Sequence, residues 1–308
     1  MVTIATVSQY IGEIEAFCSS DNSDDLIPTS VLLYRGQSKS EYQLLPSIAR
    51  GGTPQGYDSF LSEEENLIET AKQSLPCIFS KSLDPIDLLA AMQHYGIPTR
   101  LLDVTENPLA ALFFACEDNG ADGEVIVFKD NDIDRADRPI CQAIADSYRL
   151  LRSPQTSLED FYNQAIQMPY FDRQRYWLNQ RGPLFNEHSW IKECCERPIF
   201  VHGTVTLSRQ SAQSGRYILF PNKIVPYFLA KNENELAFDE AIEPLSKDNE
   251  SIAMHFVIPS GAKKSLLASL GHLGITQSTL FPDSIDCICE GIKDRVTANS
   301  NARKRMER

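Results

Sequence analysis

The stretch AMQHYGIPTRLLDVTENPLAALFFAC, residues 91–116, largely decides how this 308-residue chain is interpreted. Polar side chains interrupt two apolar patterns with helical spacing. They are His94, Tyr95, Thr99, Arg100, Asp103, Thr105 and Asn107. Burying such groups without partners would cost about 1–3 kcal/mol each, so they either satisfy one another in a network or line a site. The strand-like run Val31–Tyr34, which leads into Arg35-Gly36-Gln37, favours the site.

The composition is that of an ordinary globular protein that can bury a full core. The chain is 42% hydrophobic and has a formal net charge of −13, from 29 basic and 42 acidic residues. Because phosphate contacts need clustered Lys and Arg, this balance argues against a broad nucleic-acid-binding surface, although it permits a local basic cleft. The length allows one large domain or two small ones.

Cysteine usage and hydropathy predict a cytoplasmic protein that does not enter a membrane. The eight cysteines contain no C-x-x-C pair and no common zinc spacing, so we predict no metal site. The N-terminus lacks a charged leader and a cleavage pattern, and no apolar run is long enough to span a bilayer. Reduced thiols are typical of the cytosol.

Local patterns predict an α+β protein with a mixed sheet core and flanking helices. Apolar spacing predicts a helix over 6–18, and the β-prone run Val31–Tyr34 predicts a buried strand. Asp84-Pro85 and Asn107-Pro108 each begin a predicted helix, and Gly96 ends the first of them. The other predicted helices lie near 60–74, 137–150, 157–167 and 263–275, and the other strands at 123–129, 198–207, 216–220 and 253–259.

Four separated motifs carry a family resemblance. They are YRGQ at 34–37, LLPSIAR at 44–50, QHYGIPTRLLDVTENPLAALFFA at 93–115 and RQSAQSGRY at 209–217. In this order they resemble the FRG domain family, whose name-giving Phe-Arg-Gly motif reads Tyr34-Arg35-Gly36 here. The resemblance continues into LGITQSTLFPD at 273–283 and covers about Val31 to Asp286. We accordingly divide the chain into a helix and loop at 1–25, an FRG-like domain at 26–292 and a basic tail at 293–308 that we expect to be disordered.

The resemblance implies a fold related to the ADP-ribosyltransferases, with NAD as the substrate. It also implies a toxin-like or phage-defence effector, since some members of the family accompany such systems. The leading hypothesis is therefore an enzyme that cleaves NAD or transfers ADP-ribose, with a nucleotide ligand and a protein target as partners. The opposing hypothesis is a non-catalytic module that recognises a nucleotide or a modified protein through the same pocket.

The candidate site combines the central segment with two distant motifs. We assign catalytic roles to Arg35, His94 and Gln213 and expect a locally positive pocket. Arg35, His94, Tyr95, Arg100 and Gln213 should converge on one concave site, because each lies at the end of a predicted element. The candidate NAD-binding residues are Tyr34, Gln37, Tyr95, Thr99 and Arg100.

Each candidate also has a structural interpretation. Arg35 could bind a phosphate or form a buried ion pair with Asp103 or Glu106. His94 could exchange protons, or it could cap a helix beside a core tyrosine, Tyr95. Asp103 is more often structural in such a position, and we expect it to hold an arginine or to cap the next helix.

The remaining candidates are an amide and an acid. Gln213 could pair with a nicotinamide amide or lie in a surface loop. The enzyme hypothesis also needs an acid to stabilise positive charge on the ribose. No glutamate near Gln213 matches that role, and Asp283 and Glu290 are weak candidates.

Overall fold

The computed structural model describes most of the chain. The described residues are 1–21, 31–51, 59–80, 82–118, 120–130, 138–151, 155–179, 186–203, 208–230 and 235–282. The predicted basic tail and the acid candidates Asp283 and Glu290 lie outside these residues.

A mixed seven-stranded sheet lies at the centre of the described fold, and a three-stranded sheet lies beside it. The strands are β1 (Val2–Thr3), β2 (Val31–Gln37), β3 (Leu101–Thr105), β4 (Gly123–Asp130), β5 (Gln155–Ser157), β6 (Ile199–Val201), β7 (Gly215–Leu219), β8 (Ile224–Pro226), β9 (Leu236–Asp239) and β10 (Ile252–Ile258). The large sheet has the order β1-β10-β4-β2-β3-β7-β6, and the small sheet has the order β5-β9-β8. Among the strands that the structure describes, only β1 and β10 pair in parallel.

Helices flank the sheet, so the predicted α+β class is confirmed. They are α1 (Val7–Asp21), α2 (Glu64–Ser74), α3 (Pro85–His94), α4 (Pro108–Ala115), α5 (Pro139–Ala145), α6 (Ser147–Leu150), α7 (Leu158–Ala165), α8 (Asp172–Asn179), α9 (Glu187–Cys195), α10 (Ser208–Gln213), α11 (Ser260–His272) and α12 (Gln277–Leu280). Among the described residues, no helix combines the length and the apolar character needed to cross a bilayer.

The helix starts predicted at two prolines are confirmed by α3 and α4. Asn107 caps α4, because its Oδ1 accepts hydrogen bonds from the amides of Leu109 at 3.0 Å and Ala110 at 3.3 Å. Gly96 follows α3 with a φ of +80°, a left-handed conformation that glycine adopts without strain.

The strand β3 was not predicted. Residues 101–105, LLDVT, pair in register with β7 from Leu101–Leu219 to Thr105–Gly215. Alternate side chains of a strand point to opposite faces of the sheet. Arg100 and Asp103, three positions apart, therefore point to opposite faces and do not meet.

Close packing of α4 on the sheet explains the glycine of the YRG motif. A Cβ atom at Gly36 would overlap the carbonyl oxygen of Ala111, and a Cβ atom at Gly123 would overlap that of Ala115. Gly36 does not have a positive φ. Glycine is needed there because the helix backbone approaches the strand.

The N-terminal segment packs against the same sheet. Strand β1 extends the edge at β10, where Val2 pairs with Phe256. The ring of Tyr10 in α1 meets the ring of Phe256 edge to face, with centroids 5.1 Å apart. The first 21 residues therefore contribute to the core around β10.

Candidate functional site

A cleft of about 800 Å³ opens beside the only point at which β2 and β3 pair, Tyr34 with Thr105. Strand β2 supplies one wall and β3 the other, and the loop that follows β2 and the end of α4 complete the cleft. Its polar and aromatic lining comprises Tyr34, Arg35, Gln37, Ser38, Glu41, Tyr42, Gln43, Arg50, Asp103, Thr105, Phe114, Glu117, Gln213 and Phe281.

Arg35 lies in this cleft with its guanidinium held at two edges. Its Nε donates to Oε1 of Gln37 at 3.1 Å, and its Nη1 donates to the backbone oxygen of Asp103 at 2.5 Å. Burial lowers the pKa of Arg35 to about 10, against the attraction of Asp103, so the group remains charged at neutral pH. Its Nη2 makes no hydrogen bond within the described residues, which leaves a charged donor for a ligand.

Arg50 is a second cation in the cleft, and our sequence-based assignment missed it. It follows the 3₁₀ turn Ser47–Ala49. The amide of Ile48 in this turn donates a hydrogen bond to the backbone oxygen of Thr99 at 3.2 Å, which holds the turn against the segment before β3. The Nε of Arg50 donates to the backbone oxygen of Leu45 at 3.1 Å. The signal for Arg50 was present, because it ends the LLPSIAR motif.

The cleft carries mixed charge, which corrects the expectation of a positive pocket. The carboxylates of Glu41, Asp103 and Glu117 line it together with the two arginines. Asp103 attracts both Arg35 and Arg50 electrostatically. Such a cleft can bind anionic groups at one position and stabilise positive charge at another.

Aromatic rings border the same space. Phe114 and Phe281 meet edge to face, with centroids 6.1 Å apart. Tyr42 lies under the ammonium of Lys39, 5.9 Å from its ring centroid. Burial raises the pKa of Tyr34 to about 12, so its hydroxyl stays neutral. Rings in this arrangement can pack against a planar ligand.

Gln213 lines the cleft and also anchors a neighbouring element. Its Nε2 donates to the backbone oxygen of Leu280 at 3.0 Å, and its own backbone oxygen accepts from the hydroxyl of Thr105. The first contact secures the end of α12, directly before Phe281. The structure therefore shows Gln213 positioning one wall of the cleft.

Arg100 does not reach the cleft, although we had assigned it to ligand binding. It is 1% exposed and forms two contacts with the carboxylate of Glu64, one of them from Nε at 2.9 Å. Its Nη1 donates to the backbone oxygen of Phe220 at 3.1 Å and to Oδ1 of Asn222 at 3.0 Å. Arg100 precedes β3, whereas the cleft lies beside Asp103 to Thr105 at the other end of that strand.

His94, Tyr95 and Thr99 are also absent from the cleft that Arg35 lines. The ring of Tyr95 is half exposed at the end of α3, with its centroid 4.9 Å from that of His94 and 5.9 Å from that of Phe79. Thr99 is buried, and its hydroxyl donates to Oε1 of Gln93 at 2.5 Å. The expected convergence therefore fails for the 94–100 segment, because the chain must still traverse β3 before it reaches the cleft.

Comparison with known proteins identifies one family. The family model of the FRG domain matches residues 30–124. A search of curated proteins and a search of solved structures each found no match. The matched range includes β2, Arg50, β3 and α4, which together form most of the cleft. The chain thus contains an FRG domain, which spans residues 30–124.

Proposed function

We propose that this cleft binds NAD and breaks its nicotinamide–ribose bond, with transfer of ADP-ribose to water or to a side chain of a protein target. The observation that carries the proposal is the placement of Arg35, Arg50 and three carboxylates in one cleft of about 800 Å³. This volume lies within the range of small-molecule sites.

In this proposal the arginines bind the substrate and a carboxylate stabilises the developing charge. Arg35 and Arg50 hold the pyrophosphate, because a guanidinium offers a planar set of charged donors. When the bond from C1′ of the ribose to the nicotinamide nitrogen breaks, its electron pair leaves with nicotinamide, and positive charge develops on the ribose. A carboxylate stabilises that charge. The acceptor then bonds to C1′ and loses a proton.

The acid that stabilises the ribose is one of Glu41, Asp103 and Glu117 in this proposal. These three line the cleft. We propose that the protein acts in the cytoplasm, and the free thiols of Cys18, Cys77 and Cys116 support this compartment. A role as a toxin-like or defence effector rests on the family resemblance.

A second candidate function is non-catalytic recognition of a nucleotide or an ADP-ribosylated protein. One observation favours it. The attraction of Asp103 to both cleft arginines keeps that carboxylate engaged with cations rather than with a developing positive charge. In this case the cleft would bind ADP-ribose and leave NAD intact.

Nicotinamide release from NAD by the purified protein separates the two functions. An enzyme releases nicotinamide, and one of Glu41→Gln, Asp103→Asn and Glu117→Gln lowers the rate by about 100-fold or more, as removal of a charge-stabilising group does. A recognition module binds ADP-ribose without release. Failure of the wild-type protein both to release nicotinamide and to bind ADP-ribose would refute both functions.

A further inference from the structure

A fully buried carboxylate lies behind Arg35 and does not reach the cleft. Glu124 on β4 is 0% exposed and faces Gln37 on the neighbouring strand β2. It accepts hydrogen bonds from Nε2 of Gln37 at 2.7 Å and from Nζ of Lys247 at 2.5 Å. Its second oxygen lies 2.6 Å from Nε2 of His255.

Glu124 is ionised. Burial raises its pKa, but the hydrogen bonds from His255, Lys247 and Gln37 outweigh that effect and lower the pKa overall. An ionised carboxylate can only accept hydrogen bonds. The group of Gln37 that faces Glu124 must therefore be its NH₂.

The orientation of the Gln37 amide follows from its partners. Nε2 has two protons, one for Glu124 and one for the backbone oxygen of Tyr42 at 3.2 Å. Neither acceptor can donate, so the reversed amide would place its oxygen against two other oxygens. Oε1 of Gln37 is consequently directed to Nε of Arg35, which can only donate.

This orientation sets the plane of the guanidinium. Oε1 of Gln37 holds Nε of Arg35, and the backbone oxygen of Asp103 holds Nη1. The remaining nitrogen, Nη2, makes no hydrogen bond within the described residues, and Arg35 lines the cleft. A guanidinium held at two edges loses less freedom when it binds a ligand than one that rotates.

We propose that Glu124 is a positioning residue, which acts through Gln37 to hold Arg35 in the orientation that binds an anionic ligand. The identity of the anionic ligand rests on the proposed function, whereas the positioning of Arg35 rests on the hydrogen bonds alone. Lys247 contributes by holding the same carboxylate oxygen, and its Nζ also donates to the backbone oxygen of Ser40 at 2.6 Å. The arrangement thus joins β4, the loop after β2 and the cleft.

The test compares Glu124→Met, Gln37→Met, the double variant and Glu124→Gln. Methionine is close in size but cannot accept the hydrogen bond. Glutamine keeps an acceptor, because Lys247 can only donate and so holds the amide oxygen in place. Asp146→Asn is a matched control, since Asp146 is another buried carboxylate, 1% exposed, that does not line the cleft.

Two measurements report on the orientation of Arg35. The first is the NMR signal of its Nε–H in ¹⁵N-arginine-labelled protein, assigned by its loss in Arg35→Lys. We expect both single methionine variants to shift this signal and to accelerate its exchange with water, whereas Glu124→Gln and Asp146→Asn leave it unchanged. An unchanged signal in Glu124→Met or Gln37→Met would overturn the proposal. If Glu124→Met fails to fold, an unchanged signal in Gln37→Met still overturns the proposal.

The second readout is the affinity for ADP-ribose measured by calorimetry. Each methionine variant should bind about tenfold more weakly, and the double variant no more weakly than either single one, because the two residues act in series. Losses that add to about 100-fold would overturn the proposal. If the wild-type protein binds no ADP-ribose, the proposed function fails, and the Nε–H signal still decides whether Glu124 positions Arg35.

Discussion

Arginine has two distinct uses in this chain, which differ in how many of its donors are occupied. Arg35 lies in the cleft with one nitrogen lacking a partner among the described residues. Arg100 is buried and contacts Glu64, Phe220 and Asn222. Only the first arrangement leaves charge for a ligand, so the position of an arginine within a motif does not reveal its role.

Arg100→Met should destabilise the fold by about 3–5 kcal/mol, because it leaves the carboxylate of Glu64 buried without its cation. The double variant Arg100→Met, Glu64→Leu should recover part of that loss. Urea unfolding followed by circular dichroism measures both. If Arg100→Met had wild-type stability but no longer bound ADP-ribose, Arg100 would be a ligand-binding residue after all.

Asp103→Asn should change the free energy of unfolding by less than about 1 kcal/mol. The carboxylate attracts Arg35 and Arg50, as we had expected for an arginine partner, but it does so from an exposed position. The hydrogen bond to Arg35 comes from the backbone oxygen of Asp103, and Asn107 caps α4. Thermal unfolding checks this, with Asn107→Ala as the comparison that loses about 1 kcal/mol. A larger loss in Asp103→Asn would show that the carboxylate is structural after all.

Some cleft residues could be predicted from the sequence, whereas the candidates at 94–100 do not line the cleft. Arg35, Gln37 and Gln213 could be predicted, because each follows or precedes a recognisable element end. Arg100 could not be excluded, because its partner Glu64 is 36 residues away and no local pattern joins them. Arg50 was overlooked because its placement depends on Thr99, which fastens the preceding turn from a distant part of the chain.

Helix α4 packs closely against the sheet, because the glycines of β2 and β4 leave room for its backbone. Gly36→Ala should destabilise the protein by about 2 kcal/mol or more, because the added methyl would overlap the backbone of α4 and force it away from β2. The cleft should widen at the same time, since Phe114 on α4 lines it. The measurement is the free energy of unfolding in urea.

Gly12→Ala is the matched control for that variant. Gly12 lies inside α1, where an added Cβ meets nothing within 4 Å. Alanine should stabilise this helix by about 0.5–1 kcal/mol. If Gly36→Ala behaved like Gly12→Ala, the close approach of α4 to β2 would be wrong.

Strand β3 was missed because the spacing of apolar residues cannot identify so short an element. Its five residues are too few for an apolar run to distinguish a strand from a buried helix segment. The flanking helices were predictable from proline and capping signals, which left LLDVT between them without an assigned element. Pairing with β7, more than 100 residues away, makes this segment a strand.

For the whole molecule, one buried acid predicts an unusual pH dependence. Burial raises the pKa of Asp146 from 3.8 to about 6, and Arg149 and Lys72 offset it only partly. The folded state therefore holds this proton more tightly than the unfolded state, so this group stabilises the fold below about pH 4 and loses that contribution as the pH rises to 6.

Asp146→Asn should accordingly raise the free energy of unfolding at pH 7 by about 1–2 kcal/mol and have little effect at pH 4. Thermal unfolding of both proteins across this range checks the prediction. A variant that is less stable than the wild type at pH 7 would show that the ionised carboxylate and its contact with Arg149 stabilise the fold.

We propose that Arg35 binds an anionic ligand in the cleft between β2 and β3. Calorimetric titration of ADP-ribose into wild-type protein, Arg35→Lys and the exposed control Arg197→Lys tests this binding. We predict that the wild type and the control bind equally. Arg35→Lys should bind at least about tenfold more weakly, because the single nitrogen of lysine cannot replace Nε and Nη1 at both edges and cannot offer a planar fork of donors. Equal affinity in all three proteins, or no binding by the wild type, would contradict the account.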